Sequence, residues 1–248
     1  MRKINSPRLS GNKPIRIKTI GNGQQGVGES VKRTLIGNVQ TAEKHFHESI
    51  VEKMSLKSRK RVFMVWEKPN DIVADAILAQ KVWFAFYKAG LPVPRFSKID
   101  LRGKSKTFLS RYMEDMGLRH GELTDGHLIG KPREDIFNNV KKDPKLIKFL
   151  ARDLATIYNS GYFSSFMDFW HFYKLSNKKL DRVILDFESF EKLTLTKNNL
   201  LTEVSLGHVK HNVNDMKQAL GLSYNVFRIE LLKKVKNPAI RKLINEFK

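Results

Sequence analysis

Apolar and polar positions along the chain change period several times, and each change predicts an element. Ile15, Ile17 and Ile20 fall between polar and basic residues, a strand-like pattern that runs into the glycine cluster at 20–28. Val31 to Leu35 reads as a second strand. Residues 39–56 are predicted as an amphipathic helix, 57–61 as a basic turn, and 62–66 (VFMVW) as an apolar strand rich in β-formers. After KPND, with Asp71 as its cap, an apolar helix is predicted over 71–89. Gly90 closes that helix, and the prolines of LPVPRF force an extended exit. Residues 108–113 read as a strand and 114–135 as a loop. In 144–161 the apolar positions Leu146, Phe149, Leu150, Leu154, Ile157 and Tyr158 recur at three- and four-residue steps, which predicts an amphipathic helix closed by Gly161. Residues 181–187 read as a short strand ending in an acid, and helices are expected to fill most of 188–248.

Composition narrows the function classes. The 248 residues are 41% hydrophobic and include 16 Phe and 3 Trp, enough for a packed core. Lys and Arg number 46 against 25 Asp and Glu, a formal net charge of +21, well beyond what solubility requires of a small domain. Such an excess points to an anionic partner: a nucleotide, a phosphorylated lipid or saccharide, or nucleic acid. There is no cysteine, which excludes disulfides, thiol nucleophiles and Cys-ligated metals. No transmembrane run and no secretory h-region are read, so a cytoplasmic location is expected, with peripheral contact with a membrane left open. Residues 1–14 read as a flexible basic arm.

Two features carry candidate chemistry. Gly21, Gly23 and Gly26 have the spacing G-x-G-x-x-G, with Val27 next. Glycines so placed let backbone N–H groups approach phosphate oxygens. With strands on both sides, the cluster suits a hairpin closing over phosphates better than a dinucleotide-binding turn. Further on, Asp168 follows the 144–161 helix and Asp186 ends the VIL strand as DFE, 18 residues later.

On these residues the chain resembles the protein-kinase-like superfamily, in particular its small bacterial branches of lipopolysaccharide-core kinases and aminoglycoside phosphotransferases. IGNGQQGV stands at the phosphate-covering loop, AFYKAGLPVPRF at the end of the N-lobe helix, and FLSRYMED at the approach to the hinge. LARDLATIYNSGYF stands at the helix before the catalytic loop. The resemblance implies that Asp168 is the catalytic aspartate and Asp186 the metal-binding one. It departs from the family in three places. Phe166 and Met167 replace the His and Arg of the catalytic triplet. Tyr173 stands where an Asn ligates the second metal. The strand expected to carry the anchoring lysine, 62–66, is apolar until Lys68. Lys68 and Lys81 are the candidate replacement cations. A phenol is a poor ligand for Mg²⁺, so weak or lost turnover is expected, as in a pseudokinase.

The expectation is therefore an α+β, two-lobed kinase-like fold, with a sheet-and-helix N-lobe over 15–110 and a mainly helical C-lobe over 111–248. It would bind ATP and Mg²⁺ and transfer phosphoryl groups to a small or lipid-linked hydroxyl, or be a nucleotide-binding remnant of such an enzyme. The alternative rests on 214–234, which resembles a DNA-reading helix-turn-helix. There Leu220, Leu222, Phe227 and Leu231 would point inward, and Tyr224, Asn225 and Arg228 would lie near an exposed helix start. The seven histidines show no metal-binding spacing, and the aromatics at 162–173 read as core.

Overall fold

The computed structural model describes residues 15–22, 29–36, 39–47, 69–102, 108–114, 116, 134–164, 167, 169–175, 177, 179–196 and 200–247. These residues form helices and small antiparallel sheets, so the protein is α+β. The chain divides into two units, residues 1–81 with 94–119 and residues 82–93 with 120–248.

The first unit is built on a five-stranded antiparallel sheet. Strands β1 (Ile15–Asn22), β2 (Glu29–Ile36), β3 (Val39–His47), β4 (Ser97–Arg102) and β5 (Phe108–Glu114) lie in the order β1-β2-β3-β5-β4. The register of β1 slips between Arg16 and Lys18 and again between Thr19 and Gly21. Such bulges explain why the isoleucines step by two and then by three. The helix expected over 39–56 is a strand as far as His47, and its continuation lies outside the described residues, as does the strand expected at 62–66. The physical reason is the link before it. Only Gly37-Asn38 separates Ile36 from its cross-strand partner Val39, and a two-residue Gly-Asn connection favours a hairpin over a helix start.

Helix α1 (Pro69–Lys88) begins two residues earlier than expected, with Pro69 where its missing N–H costs least. Asp71 therefore lies inside the first turn. In the first unit the Gln80 amide donates to the Ser97 carbonyl at 2.9 Å and accepts from the Ser97 hydroxyl at 2.9 Å, tying α1 to the sheet. The buried Glu114 carboxylate receives the Arg95 backbone N–H at 2.7 Å and its Nε at 2.6 Å.

The second unit takes residues 82–88 of α1, then α2 (Glu134–Lys142) and α3 (Pro144–Asn159). Asp143 caps α3 through Lys145 and Leu146 N–H, and Gly161 takes a left-handed φ of +79° after it. Four short strands follow in two antiparallel pairs. Strand β6 (Tyr162–Ser164) pairs with β9 (Phe190–Lys192), and β7 (Trp170–Lys174) with β8 (Leu180–Ile184). Helices α4 (Glu203–Leu220), α5 (Tyr224–Lys234) and α6 (Pro238–Glu246) complete the unit. Its core joins Leu150, Leu154 and Ile157 of α3 to Val213, Phe227, Leu231 and Ile240 from the later helices, all buried. Each such side chain contributes about 1.5–3 kcal/mol on leaving water. Among the described residues no helix is long and apolar enough to cross a membrane.

Candidate functional site

The described aromatics of 162–173 are core. Phe86 of α1 meets Phe190 edge-on at 4.9 Å and Tyr162 at 5.8 Å between ring centroids, and Phe187 lies 6.3 Å from it. Phe169 packs on Phe190 at 4.8 Å and on Trp170 at 4.6 Å. These large rings, worth more than their area when so packed, fix the backbone on either side of two polar segments. The first contains Asp168, which lies outside the described residues. The second contains Asp186. Phe169 and Leu185, their neighbours in sequence, are hydrogen-bonded: the Leu185 N–H donates to the Phe169 carbonyl at 2.9 Å. The LPVP exit from α1 joins the same region, where the Ile184 N–H donates to the Pro92 carbonyl at 2.7 Å.

Asp186 has φ 52° and ψ 51°, the one described non-glycine residue with positive φ. A left-handed backbone costs an ordinary L-residue about 1–2 kcal/mol, and aspartate is among the residues that tolerate it best. The Asp186 carboxylate does not cap the short turn Phe187–Ser189 that follows. It is the main-chain carbonyl of Asp186 that is engaged, accepting from Ser189 N–H at 2.9 Å and from Ser189 Oγ at 2.8 Å. The carboxylate itself is 49% exposed, with His171 Nε2 3.9 Å away.

A hydroxyl and amide relay holds this turn. The buried Asn212 amide of α4 donates to the Ser164 carbonyl at 2.9 Å. Ser164 Oγ donates to the Ser189 carbonyl at 3.0 Å and lies 3.1 Å from Ser189 Oγ. Helix α4 thus fixes the end of β6, and β6 fixes the backbone that carries Asp186. Sequence reading missed Asn212, Ser164, Ser189 and His171. Hydrogen bonds among the first three span 25 and 48 positions, and no local pattern joins them.

The remaining candidates divide plainly. Gly21 is in β1, paired with Val31. Gly23, Gly26 and Lys68 lie outside the described residues. Lys81 is an exposed residue of α1. Tyr173 does not face Asp186. It is buried in β7, its hydroxyl donating to Asp181 Oδ2 at 3.4 Å. The third described strand of the sheet is 39–47, and it carries Lys44, paired in register with Val31 and Arg111.

The helix-turn-helix expectation is corrected in two residues. Helices α4 and α5 do meet at Gly221, with φ +54°. Leu222, expected inward, is fully exposed. Tyr224, expected near an exposed start, is buried against Phe227, and burial raises its phenol to about 12. The cause is the length of α4, which runs from Glu203 and turns the start of α5 into the core. Arg228 donates to the Ile244 carbonyl and to Asn245, each at 3.3 Å, and Asn225 is exposed.

No protein-family model and no curated protein matches the chain.

Proposed function

We propose that the protein is a kinase-like phosphotransferase that binds ATP with a divalent cation and acts on a small or lipid-linked hydroxyl. The observation that carries this reading is the strained, half-exposed Asp186. It sits at the end of the β7–β8 hairpin, its backbone clamped by Ser189 and its neighbour Leu185 bonded to Phe169. Strain held in place by surrounding structure is what a functional carboxylate shows. The element order supports the same reading: a glycine-flanked hairpin, a third strand, a long helix, two more strands, then a helix and paired short strands around 168 and 186.

In this reading Asp186 holds Mg²⁺ or a similar ion, which when bound supplies charge neutralisation at the phosphates. The phosphate-covering role that the resemblance implies for Gly21–Gly26 falls on a stretch of which 23–26 lie outside the described residues. Lys68 and Lys81 stay the candidate cations that the resemblance implies. Asp168 accepts the proton of the acceptor hydroxyl as its oxygen attacks the γ-phosphorus and ADP leaves. Three observations support a metal role for Asp186: an exposed carboxylate, no side-chain cap bond, and a fixed backbone. Calorimetric titration of ATP with and without Mg²⁺ tests the reading. Cation-dependent binding is expected, weakened about 10- to 100-fold by Asp186→Asn. Absence of nucleotide binding under both conditions overturns it.

A further inference from the structure

We infer that His171 is a metal ligand beside Asp186, and that the pair prefers Mn²⁺ to Mg²⁺; this rests on the reading that Asp186 holds the cation. The kinase-like pattern leads one to expect the second ligand at position 173. The structure places a different side chain there. Strand β7 begins at Trp170, and Tyr173 is turned to Asp181 on the partner strand. His171 is the residue of the hairpin whose ring reaches Asp186, Nε2 to Oδ2 being 3.9 Å.

The second ring nitrogen fixes the chemistry. His171 Nδ1 lies 3.5 Å from the Phe169 carbonyl oxygen. In the tautomer with the proton on Nδ1, that carbonyl is its acceptor. That leaves the Nε2 lone pair toward Asp186, the arrangement found in metal-ligating histidines, whose other nitrogen bonds a carbonyl or carboxylate. Between Nε2 and the carboxylate oxygen there is room for a proton or a metal ion. At 3.9 Å the two atoms stand within about 1 Å of the spacing of two ligands on one six-coordinate ion.

The ring is held in place. His171 pairs with Val183 across the hairpin and its side chain is only 16% exposed, whereas the Asp186 carboxylate is half exposed and can adjust. Among the described residues no cluster of three or more His, Cys, Asp or Glu could hold an ion. The described residues thus offer two ligands, one nitrogen and one oxygen, and water or phosphate oxygens can join them in the shell. Mg²⁺ strongly prefers oxygen and dehydrates reluctantly, whereas imidazole suits later divalent metals, with Mn²⁺ accepting both. The selectivity follows from replacing an oxygen ligand by His171.

Mn²⁺ alone, without nucleotide, is the probe. Electron paramagnetic resonance counts free Mn²⁺, and its pulsed form reports ¹⁴N coupling to the bound ion. The wild-type protein is expected to bind Mn²⁺ with a nitrogen coupling that disappears in His171→Ala and in Asp186→Asn. Mn²⁺ affinity should fall 10- to 100-fold in His171→Ala, while Mg²⁺ affinity, read by competition, falls much less. Nitrogen coupling in the wild type needs no variant, so a failure of His171→Ala to fold leaves the test intact. Binding without nitrogen coupling, an unchanged Mn²⁺ to Mg²⁺ ratio in His171→Ala, or no Mn²⁺ binding at all would each overturn the inference. The phosphotransferase reading fails separately. Nitrogen-coupled Mn²⁺ without nucleotide binding keeps the ligand pair and discards the reaction, and Mg²⁺-dependent ATP binding indifferent to His171 does the reverse.

Discussion

The β7–β8 hairpin carries an acid pair near each end, and the two are built in opposite ways. Toward the turn, Asp153 of α3 is buried and held by a two-pronged contact with Arg182, Nε to Oδ2 at 2.8 Å and Nη2 to Oδ1 at 2.9 Å. Arg182 also reaches Asp181 at 3.0 Å and covers the Phe149 ring at 4.6 Å. Burial alone would make this guanidinium easier to deprotonate, but the Asp153 and Asp181 carboxylates outweigh it and hold the proton more firmly. Each of the four carboxylate oxygens there has a donor. At the other end, Asp186 is strained and half exposed, with an imidazole near it that makes no hydrogen bond to it. The satisfied pair stabilises the fold. The under-satisfied pair is available to a ligand, and this difference separates a structural acid from a functional one.

Breaking the satisfied end should have the largest effect. Arg182→Met leaves Asp153 buried without its cation, and urea unfolding should show a loss of about 3–5 kcal/mol. Next is Asn212→Ala, which removes the buried hydrogen bond to the Ser164 carbonyl. A loss of about 1–3 kcal/mol is expected, with metal or nucleotide affinity falling alongside because the same relay positions Asp186. At the under-satisfied end the sign reverses. Asp186→Gly relieves the left-handed strain, so stability should hold or rise by up to about 1 kcal/mol while cation binding is lost.

A fourth prediction concerns pH. The Arg152 hydrogen bond at 2.7 Å holds the Glu230 carboxyl below its ordinary value, against the opposing effect of burial. A depressed folded value means that this contribution is fully present above the ordinary value of 4.5 and is lost as pH falls through the lower folded one. Stability measured from pH 6 downward should therefore fall less steeply in Glu230→Gln. The smallest effect is expected from Tyr224→Phe. It removes a buried hydroxyl with no hydrogen-bond partner among the described residues, so the unfolding midpoint should stay level or rise slightly. A clear loss would show that this hydroxyl is engaged.

What could be read from sequence follows from range. Helix α3 was legible because its apolar spacing, the Asp143 cap and Gly161 agree within a few residues. The two strands around the glycine cluster were legible for the same reason. Strand β3 was misread because VQTAEKHFHESI also satisfies a helical spacing, and the Gly37-Asn38 link that decides the matter is only two residues long. At the site, Asp186 was found from its place after an apolar run. The closeness of His171 to Asp186 was not read, because it depends on β7 starting at Trp170 and pairing with β8. The Asn212–Ser164–Ser189 relay joins three separate elements, and only the folded chain brings them into range.

The contrast between the two acid pairs is tested most directly by one matched comparison on wild-type protein and Asp186→Asn. Calorimetric titration of ATP with a divalent cation is read beside the urea unfolding midpoint of each protein. The account predicts that the wild type binds ATP in a cation-dependent way, and that Asp186→Asn loses that dependence while unfolding at the same urea concentration or higher. Unchanged cation-dependent binding in Asp186→Asn, or a loss of stability comparable to that of Arg182→Met, would contradict it.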